Sequence, residues 1–258
     1  MLDHLTANDY ERSCTSHDLD VVVDAIAAVA ATRKRARSLL DVGCGYGGIA
    51  ATMRDQLGIP DAHGVDIDPE VISEARAKGI SAERVDVERE PLPFDADTFD
   101  LVTCFGMLDY LPWFDGAVAD MSRVLVPGGL IAVALPNLGS WHNRLSLLLG
   151  YQPRDIEFCS RRAVGLAPYY RSERYRVPVG HMHTATTRAF REFMNLMGFT
   201  EVRTLPLSPS NVHTRQPLRA IDSVLGRFAS TSRRFLYLGN KTKAPAELTD
   251  DGWWRPKP

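Results

Sequence analysis

The chain has 258 residues, of which 45% are hydrophobic and 24% are charged, and its formal net charge is -2. This length and composition fit one α/β domain with an insertion, and they exclude a globally disordered chain. The near-neutral charge gives no whole-molecule case for binding nucleic acid or an acidic membrane surface.

The four cysteines are scattered and form no C-x-x-C pair. That usage predicts a reduced, cytoplasmic protein without a structural metal site. The first residues lack a basic segment followed by an apolar one, and no apolar run approaches the roughly 18 residues that span a bilayer. We therefore expect at most a peripheral contact with a membrane.

Strand and helix patterns alternate along most of the chain, which predicts a parallel sheet with right-handed crossovers. Strands are predicted at 38–42, 62–67, 82–87, 99–105, 130–135, 199–205 and 234–240. Helices are predicted at 19–29, 49–57, 69–78, 113–125, 184–197 and 217–228. Thr184 is expected to cap the fifth of these helices, as Asp68 does the third.

Residues 136–179 break this alternation. A short helix is predicted there, with its apolar residues on one face: Leu138, Trp141, Leu145, Leu148 and Leu149. An irregular stretch follows with six arginines, at 154, 161, 162, 171, 174 and 176, against three acids. We interpret 1–244 as a single domain in which 138–180 is a lid over the acceptor. Residues 245–258 are then a tail whose Trp253–Trp254 pair docks on the body.

A glycine-rich loop, Asp41-Val-Gly43-Cys-Gly45-Tyr-Gly47-Gly48, lies between the first predicted strand and the next helix. Glycines let a ligand approach the backbone, and the helix start offers unpaired amide groups. The loop alone is ambiguous, because it also satisfies the dinucleotide fingerprint G-x-G-x-x-G. Asp66 fits either reading, since a carboxylate there can bind the ribose hydroxyls of a nucleotide cofactor.

Asp41 separates the two readings. Its carboxylate precedes the first glycine by two residues, where it can receive the ammonium of an amino-acid moiety but would repel a pyrophosphate. Asp86-Val87 at the end of the third predicted strand, then PLPF and FDLV, and RVLVPGG before the fifth strand, extend the pattern.

In this order and spacing, LLDVGCGYGG, GVDIDPE, VDVEREPLPFDADTFDLV and RVLVPGGLI resemble the class I S-adenosylmethionine-dependent methyltransferase family, from about Arg37 to Leu135. The resemblance implies a Rossmann-like, seven-stranded, mostly parallel sheet of order 3-2-1-4-5-7-6 with strand 7 antiparallel. It also implies S-adenosylmethionine as cofactor and S-adenosylhomocysteine as product.

The resemblance implies a division of labour around the cofactor. The methionine part lies against Asp41, Gly43, Cys44 and Gly45, with Cys44 a packing residue rather than a nucleophile. Asp66 binds the ribose hydroxyls and Ile67 flanks the adenine, whose edge meets Asp86 and Val87. The floor near the sulfonium is formed by Cys104, Phe105 and Gly106.

A hydroxyl acceptor needs a general base, and the candidates are three histidines in or beside the insertion: His142, His181 and His183. Asp109-Tyr110 stands where many relatives carry a Glu-His pair, which leaves these two residues as substitutes. The lack of an Asn/Asp-Pro-Pro-Tyr motif after the fourth strand argues against methylation of nucleic-acid bases.

PNLGSWHNRLSLLLG and GHMHTATTRAFREFMNLMGF resemble a subgroup that includes ubiquinone-biosynthesis O-methyltransferases and MetW-like proteins. We therefore predict methyl transfer to a small molecule at oxygen. The arginines of the insertion are either a solvated surface or a sign of an anionic acceptor. Two alternatives stay open: a non-catalytic, cofactor-binding partner protein like MetW, and a nicotinamide-dependent oxidoreductase.

Overall fold

The computed structural model of the protein describes residues 16–30, 36–170, 177–178, 180–207 and 218–245. Predictions that fall on Cys14, on arginines 171, 174 and 176, and on the Trp253–Trp254 pair lie outside these residues.

The described elements follow the predicted alternation. The strands are β1 Ser38–Val42, β2 Asp61–Asp66, β3 Ser81–Arg84, β4 Phe99–Phe105, β5 Leu125–Pro136, β6 Phe199–Leu207 and β7 Arg234–Lys241. The helices are α1 Ser16–Ala30, α2 Gly48–Leu57, α3 Pro69–Ala77, α4 Asp115–Val124, α5 Trp141–Leu148, α6 Thr187–Leu196 and α7 Leu218–Leu225. Two 3-10 turns occupy Leu108–Tyr110 and Pro168–Tyr170.

The strands form one seven-stranded sheet of order β3-β2-β1-β4-β5-β7-β6, as predicted. β7 pairs antiparallel with both β5 and β6, and the other neighbours are parallel. The carboxyl ends of β1, β2 and β4 therefore meet at one edge of the sheet, where ligands bind in open α/β folds.

Alternate residues of the central strands point to opposite faces of the sheet and build two cores. On one face Val102 and Val133 pack with α4 and α6. On the other face Leu101 and Ala132 pack with α1, α2 and α3. The near-continuous apolar sequences of β4 and β5 follow from this burial on both sides.

Some element boundaries differ from prediction. β3 ends at Arg84 rather than at residue 87, so Asp86 follows the strand instead of closing it. β5 begins at Leu125, because that residue pairs with Phe99 ahead of a bulge. The cap of α6 is Thr186, whose hydroxyl accepts from the Ala189 amide.

Of the predicted apolar face of the insertion helix, Trp141 is buried and Leu138 and Leu145 are partly buried, whereas Leu148 and Leu149 are exposed. Leu147, Leu148 and Leu149 are 58%, 82% and 56% exposed, whereas the buried residues of α5 are Trp141, His142, Asn143 and Ser146. Hydrogen bonds set this orientation, because a buried polar group must find a partner.

The anchor of α5 is the Trp141 ring, whose Nε1 donates to Asp222 Oδ1 at 2.6 Å. Arg233 completes the contact with a hydrogen bond of 2.6 Å to Asp222 Oδ2. The insertion is thereby tied to the β6–β7 connection. Phe228, the last residue of the predicted helix 217–228, lies beyond the end of α7 and is exposed.

We predict that Gly64→Ala destabilises the fold by about 1–3 kcal/mol, because a Cβ at this position of β2 would lie 2.7 Å from the sulfur of Cys44. The matched control is Gly116→Ala in α4, where a Cβ meets nothing within 4 Å. That control should gain up to about 1 kcal/mol from the lower chain entropy of alanine. Urea denaturation measures both, and equal stabilities of the two variants would contradict the packing argument.

Candidate cofactor and acceptor site

The glycine loop runs from β1 into α2 and is held to β2 by backbone hydrogen bonds. The amides of Gly43 and Cys44 both donate to Val65 O, at 2.8 and 3.0 Å. Gly43 has φ +77°, and a Cβ there would lie 2.6 Å from the Cβ of Met107. Only glycine therefore fits at this crossing of the loop with the segment after β4.

Gly45 differs from the other loop glycines because it faces open space. Its φ is +49°, and a Cβ would meet nothing within 4 Å. Its amide donates to Asp66 Oδ2 at 2.9 Å, and the Asp68 amide donates to Oδ1 of the same carboxylate at 3.1 Å. Asp66 thus shapes the loop from the end of β2, while each carboxylate oxygen keeps a lone pair for a further donor.

Asp41 lies deeper than predicted, with 2% of its surface exposed. It is the register partner of Thr103 on β4, whose hydroxyl donates to its Oδ1 at 2.7 Å. Burial raises the pKa of Asp41 to about 7; the Thr103 hydrogen bond opposes this change and the charge of Asp66 adds to it. The contact of Asp41 with the ammonium group of a ligand remains a prediction. Such a contact favours the ionised form of the Asp41 carboxylate.

Ile67 and Asp86 lie at the ends of neighbouring strands, where an adenine is predicted. Ile67 is 54% exposed, which is unusual for a large aliphatic side chain beside a buried strand. Asp86 follows β3, and its Oδ1 accepts from the Glu88 amide at 3.2 Å. Val87 is partly buried against the core. These residues therefore lie at neighbouring strand ends, and their contacts with an adenine remain a prediction.

The predicted floor lies mostly inside the protein. The Cys104 side chain is fully buried in one core, Phe105 packs in the other, and Gly106 takes φ +66° as the chain leaves β4. With none of its surface exposed, Cys104 cannot contact a ligand in this conformation. Burial, with the charges of Asp41 and Asp66, raises the pKa of Cys44, consistent with packing rather than reactivity.

These residues fit S-adenosylmethionine. Gly45 leaves the space that a side chain would fill, Asp66 offers carboxylate oxygens to ribose hydroxyls, and Ile67 offers an exposed apolar surface to a flat base. A pyrophosphate would meet two carboxylates here, Asp41 and Asp66, on adjacent strands.

The acceptor side contains a histidine–carboxylate pair. His181, at the end of the insertion, places Nε2 2.9 Å from Oδ2 of Asp109, in the turn after β4. Backbone hydrogen bonds hold the two segments together, since the amides of Met182 and His183 both donate to Asp109 O, at 2.8 and 3.3 Å. The Tyr110 ring packs against the imidazole in an edge-to-face arrangement, with the ring centroids 5.2 Å apart.

Within the described part of the chain, His181 Nδ1 and Asp109 Oδ1 are buried without a hydrogen-bonding partner. Burial alone would lower the pKa of His181, but the hydrogen bond and charge of Asp109, with the charges of Asp155 and Glu157, raise it above its ordinary value. The pair thus leaves one buried imidazole nitrogen and one buried carboxylate oxygen without a partner in the described part of the chain.

The structure separates the three candidate histidines. His142 is buried on the inner face of α5, with Nε2 3.6 Å from an oxygen of Asp155. His183 is exposed and lies against Trp113, with ring centroids 5.7 Å apart. The sequence marked His181 and Asp109 separately but did not predict that they pair. The signal in the sequence was Asp109-Tyr110, which stands where many relatives carry a Glu-His pair. Asp109 keeps the carboxylate of that pair but the imidazole is lost, so a histidine from another segment can take its place.

Arg161 and Arg162 are exposed on the insertion, while Arg154 lies 3.7 Å from Glu157. Among the described residues, no three His, Cys, Asp or Glu side chains are grouped to hold a metal ion. None of the helices in the described ranges is both long enough and apolar enough to cross a membrane.

Residues 40–133 match the family described as "Methyltransferase domain". This part of the chain is similar to methyltransferase domains. The match begins in β1 and ends in β5, and it includes the glycine loop, Asp66, Asp86 and Asp109. The match agrees with the predicted methyltransferase class over this part of the chain.

Curated relatives agree with this class. The chain is 30% identical over 151 residues to malonyl-[acyl-carrier protein] O-methyltransferase of Enterobacter lignolyticus, covering 56% of this chain and 57% of that one. It is 34% identical over 101 residues to a ubiquinone biosynthesis O-methyltransferase of Bordetella avium, covering 37% and 41%. The chain spans about half the length of the curated relatives it matches.

A solved structure extends the likeness to the whole fold of the methyltransferase domain. An S-adenosylmethionine-dependent methyltransferase of Thermotoga maritima, described as a possible histamine N-methyltransferase, superposes with a TM-score of 0.59 at 18% identity. The superposition covers 92% of this chain and 96% of that one, which confirms the predicted fold.

We predict that Asp41→Asn increases the stability of the protein more at pH 8 than at pH 5. The folded protein holds a proton on Asp41 up to about pH 7, whereas the unfolded chain loses it near 3.8, so the wild type loses stability as the pH rises between these values. The gain in the free energy of unfolding should be at most about 4 kcal/mol, which corresponds to the difference between the pKa values of the folded and unfolded chain. The hydrogen bond from Thr103 is kept, because the side-chain oxygen of Asn also accepts it. Urea denaturation at both pH values measures the gain; a pH-independent difference would show that Asp41 stays ionised.

Proposed function

We propose that the protein is an S-adenosylmethionine-dependent methyltransferase that methylates a small molecule at a hydroxyl oxygen, with His181 as general base. The observation that carries the proposal is the pairing of His181 with Asp109 where the acceptor side meets the end of β4. The names of the curated relatives, two kinds of O-methyltransferase, favour oxygen as the acceptor atom.

When bound, the cofactor supplies an electrophilic methyl group on a sulfonium. The residues proposed to hold it are those of the glycine loop with Asp66, Ile67, Asp86 and Val87. Their task is positioning, because fixing two reactants in line can supply a large part of the rate. The cores under the loop make that position rigid.

Asp109 determines which nitrogen of His181 serves as base. Its carboxylate accepts a hydrogen bond from Nε2, so in the neutral ring the lone pair is on Nδ1. Nδ1 is buried in the unliganded protein, so the acceptor must expose it on binding. Nδ1 then takes the proton that the acceptor oxygen loses as its bond to the methyl group forms. The imidazolium that results is stabilised by Asp109, in the way that a buried carboxylate supports a catalytic histidine elsewhere.

The acceptor can also be anionic, as the arginines of the insertion suggested. Carboxylates surround His181, so a negative group on the acceptor is disfavoured beside the base. Arg161 and Arg162 are exposed on the same insertion and offer the opposite charge. We therefore propose that the hydroxyl of the acceptor faces His181 and that any acidic group faces these arginines.

We predict that His181→Gln lowers turnover by about a hundredfold to ten-thousandfold, the usual contribution of a general base. Affinity for S-adenosylmethionine, measured by calorimetry, should not change, because a base acts in the transition state. Turnover is measured by mass spectrometry of cell extract incubated with the enzyme and isotopically labelled cofactor, which also identifies the acceptor.

The matched control is His63→Gln, a histidine of β2 that pairs with Asp61 away from the insertion. It should leave turnover and cofactor affinity intact. Full activity of His181→Gln would remove this residue from the mechanism. Binding of the cofactor by the wild type without any labelled product would support a non-catalytic partner protein instead.

A further inference from the structure

A lysine at the end of α3 contacts the glycine loop. The Nζ atom of Lys78 donates a hydrogen bond of 2.7 Å to the backbone carbonyl of Tyr46, 32 residues earlier in the chain. The same atom lies 6.0 Å from the centroid of the Tyr46 ring, at the outer limit of a cation–π contact. Lys78 thus reaches the middle of the loop that is proposed to hold the cofactor.

The backbone around Lys78 is itself fixed next to the loop. Gly47 packs directly on α3, since a Cβ at Gly47 would lie 2.8 Å from the Cβ of Ala75. At the end of α3 the Lys78 amide donates to Glu74 O and Ala75 O, at 3.2 and 3.1 Å. Arg54 of α2 donates from Nη1 to Lys78 O at 2.9 Å. The contact with the loop therefore requires only the lysine side chain to be ordered, which lowers its entropic cost.

Two opposite charges hold neighbouring residues of the loop. The Gly45 amide donates to the Asp66 carboxylate at 2.9 Å, and the carbonyl of the next residue, Tyr46, accepts from the Lys78 ammonium. Hydrogen bonds with one charged partner are about twice as strong as those between neutral groups. Asp66 also accepts from the amide of Asp68, at the start of α3, and Lys78 follows the end of that helix. The two ends of one helix thus hold the segment that leaves open space at Gly45.

We propose that Lys78 is a positioning residue for the cofactor: its ammonium group holds the Tyr46 carbonyl, so that the loop stays open at Gly45 for S-adenosylmethionine. This proposal rests on the proposed placement of the cofactor against the glycine loop. Without the ammonium group the loop samples other conformations, and the cofactor binds only the fraction of molecules in which the loop is open. The apparent affinity then falls in proportion to that fraction.

The first test is calorimetric titration of the wild type and of Lys78→Met with S-adenosylhomocysteine. Methionine keeps an unbranched side chain and removes the ammonium group. The dissociation constant should rise by about threefold to tenfold, the range for a charge-assisted hydrogen bond at an exposed position. Lys78→Arg keeps the charge and its donors and should bind within about twofold of the wild type. In turnover, KM for the cofactor should rise while kcat stays unchanged.

The matched control is Lys241→Met, which removes a lysine–carbonyl hydrogen bond of the same kind at the opposite edge of the sheet. Lys241 ends β7, and its Nζ donates to Leu125 O at the start of β5, at 2.6 Å. This variant should bind S-adenosylhomocysteine as the wild type does. Equal affinities of folded Lys78→Met and the wild type would overturn the proposal, and so would an equal loss in Lys241→Met. If Lys78→Met does not fold, Lys78→Gln, which has no charge, replaces it.

Hydrogen exchange of the loop amides gives a second readout that needs no ligand. In the ligand-free protein the Gly45 amide should exchange at least about threefold faster in Lys78→Met than in the wild type, because local opening becomes easier. The amides of β4 should exchange at the wild-type rate. Unchanged exchange at Gly45 would overturn the role of Lys78. A wild type that does not bind S-adenosylhomocysteine would instead contradict the proposed cofactor site, so the two failures are distinguishable.

Discussion

A buried carboxylate at the carboxyl end of β4 cannot remain without a partner, and the acceptor side of this protein is arranged around that requirement. Asp109 is nearly inaccessible to solvent, and an isolated charge in such a place is strongly disfavoured. His181 meets it from the far end of the insertion, and backbone hydrogen bonds from Met182 and His183 keep the two segments together. The contact between His181 and Asp109 thus both fixes the path of the insertion and forms the proposed base.

The cofactor side uses the same principle with another carboxylate. Asp66 binds backbone amides of the glycine loop and of the turn before α3, so the loop is held open at Gly45 without a side chain that would fill the space. Asp41, buried between the strands, fixes the start of the loop through Thr103. Three acids at one sheet edge therefore order the segments that face the ligands.

The sheet and most of its elements could be predicted from the sequence. β4 is mostly apolar and was predicted at its observed bounds, while the strand order followed from the resemblance of four motifs. β3 was predicted to end three residues too late, because Val85 and Val87 continue the apolar pattern after the pairing with β2 has ended.

The acceptor side could be predicted only in part. Periodicity predicted a helix with Trp141 on its inner face, but it placed Leu148 and Leu149 there too, and both are exposed. Asn143 is buried instead, because it binds Asp155, a partner that periodicity does not show. The three histidines were recognised by their place near the insertion. Which of them meets Asp109 is a property of the folded chain, since no local pattern relates the turn after β4 to a residue beyond α5.

The most direct test of the account is a double-mutant cycle on methyl transfer, with Asp109→Asn, His181→Gln and both together. Labelled product formed in cell extract is measured for each protein, after calorimetry has shown that each binds S-adenosylmethionine. If the two residues act as one base, the double variant should be no slower than His181→Gln, within about twofold. Losses that multiply, so that the double variant shows the product of the two single effects, would contradict a shared role.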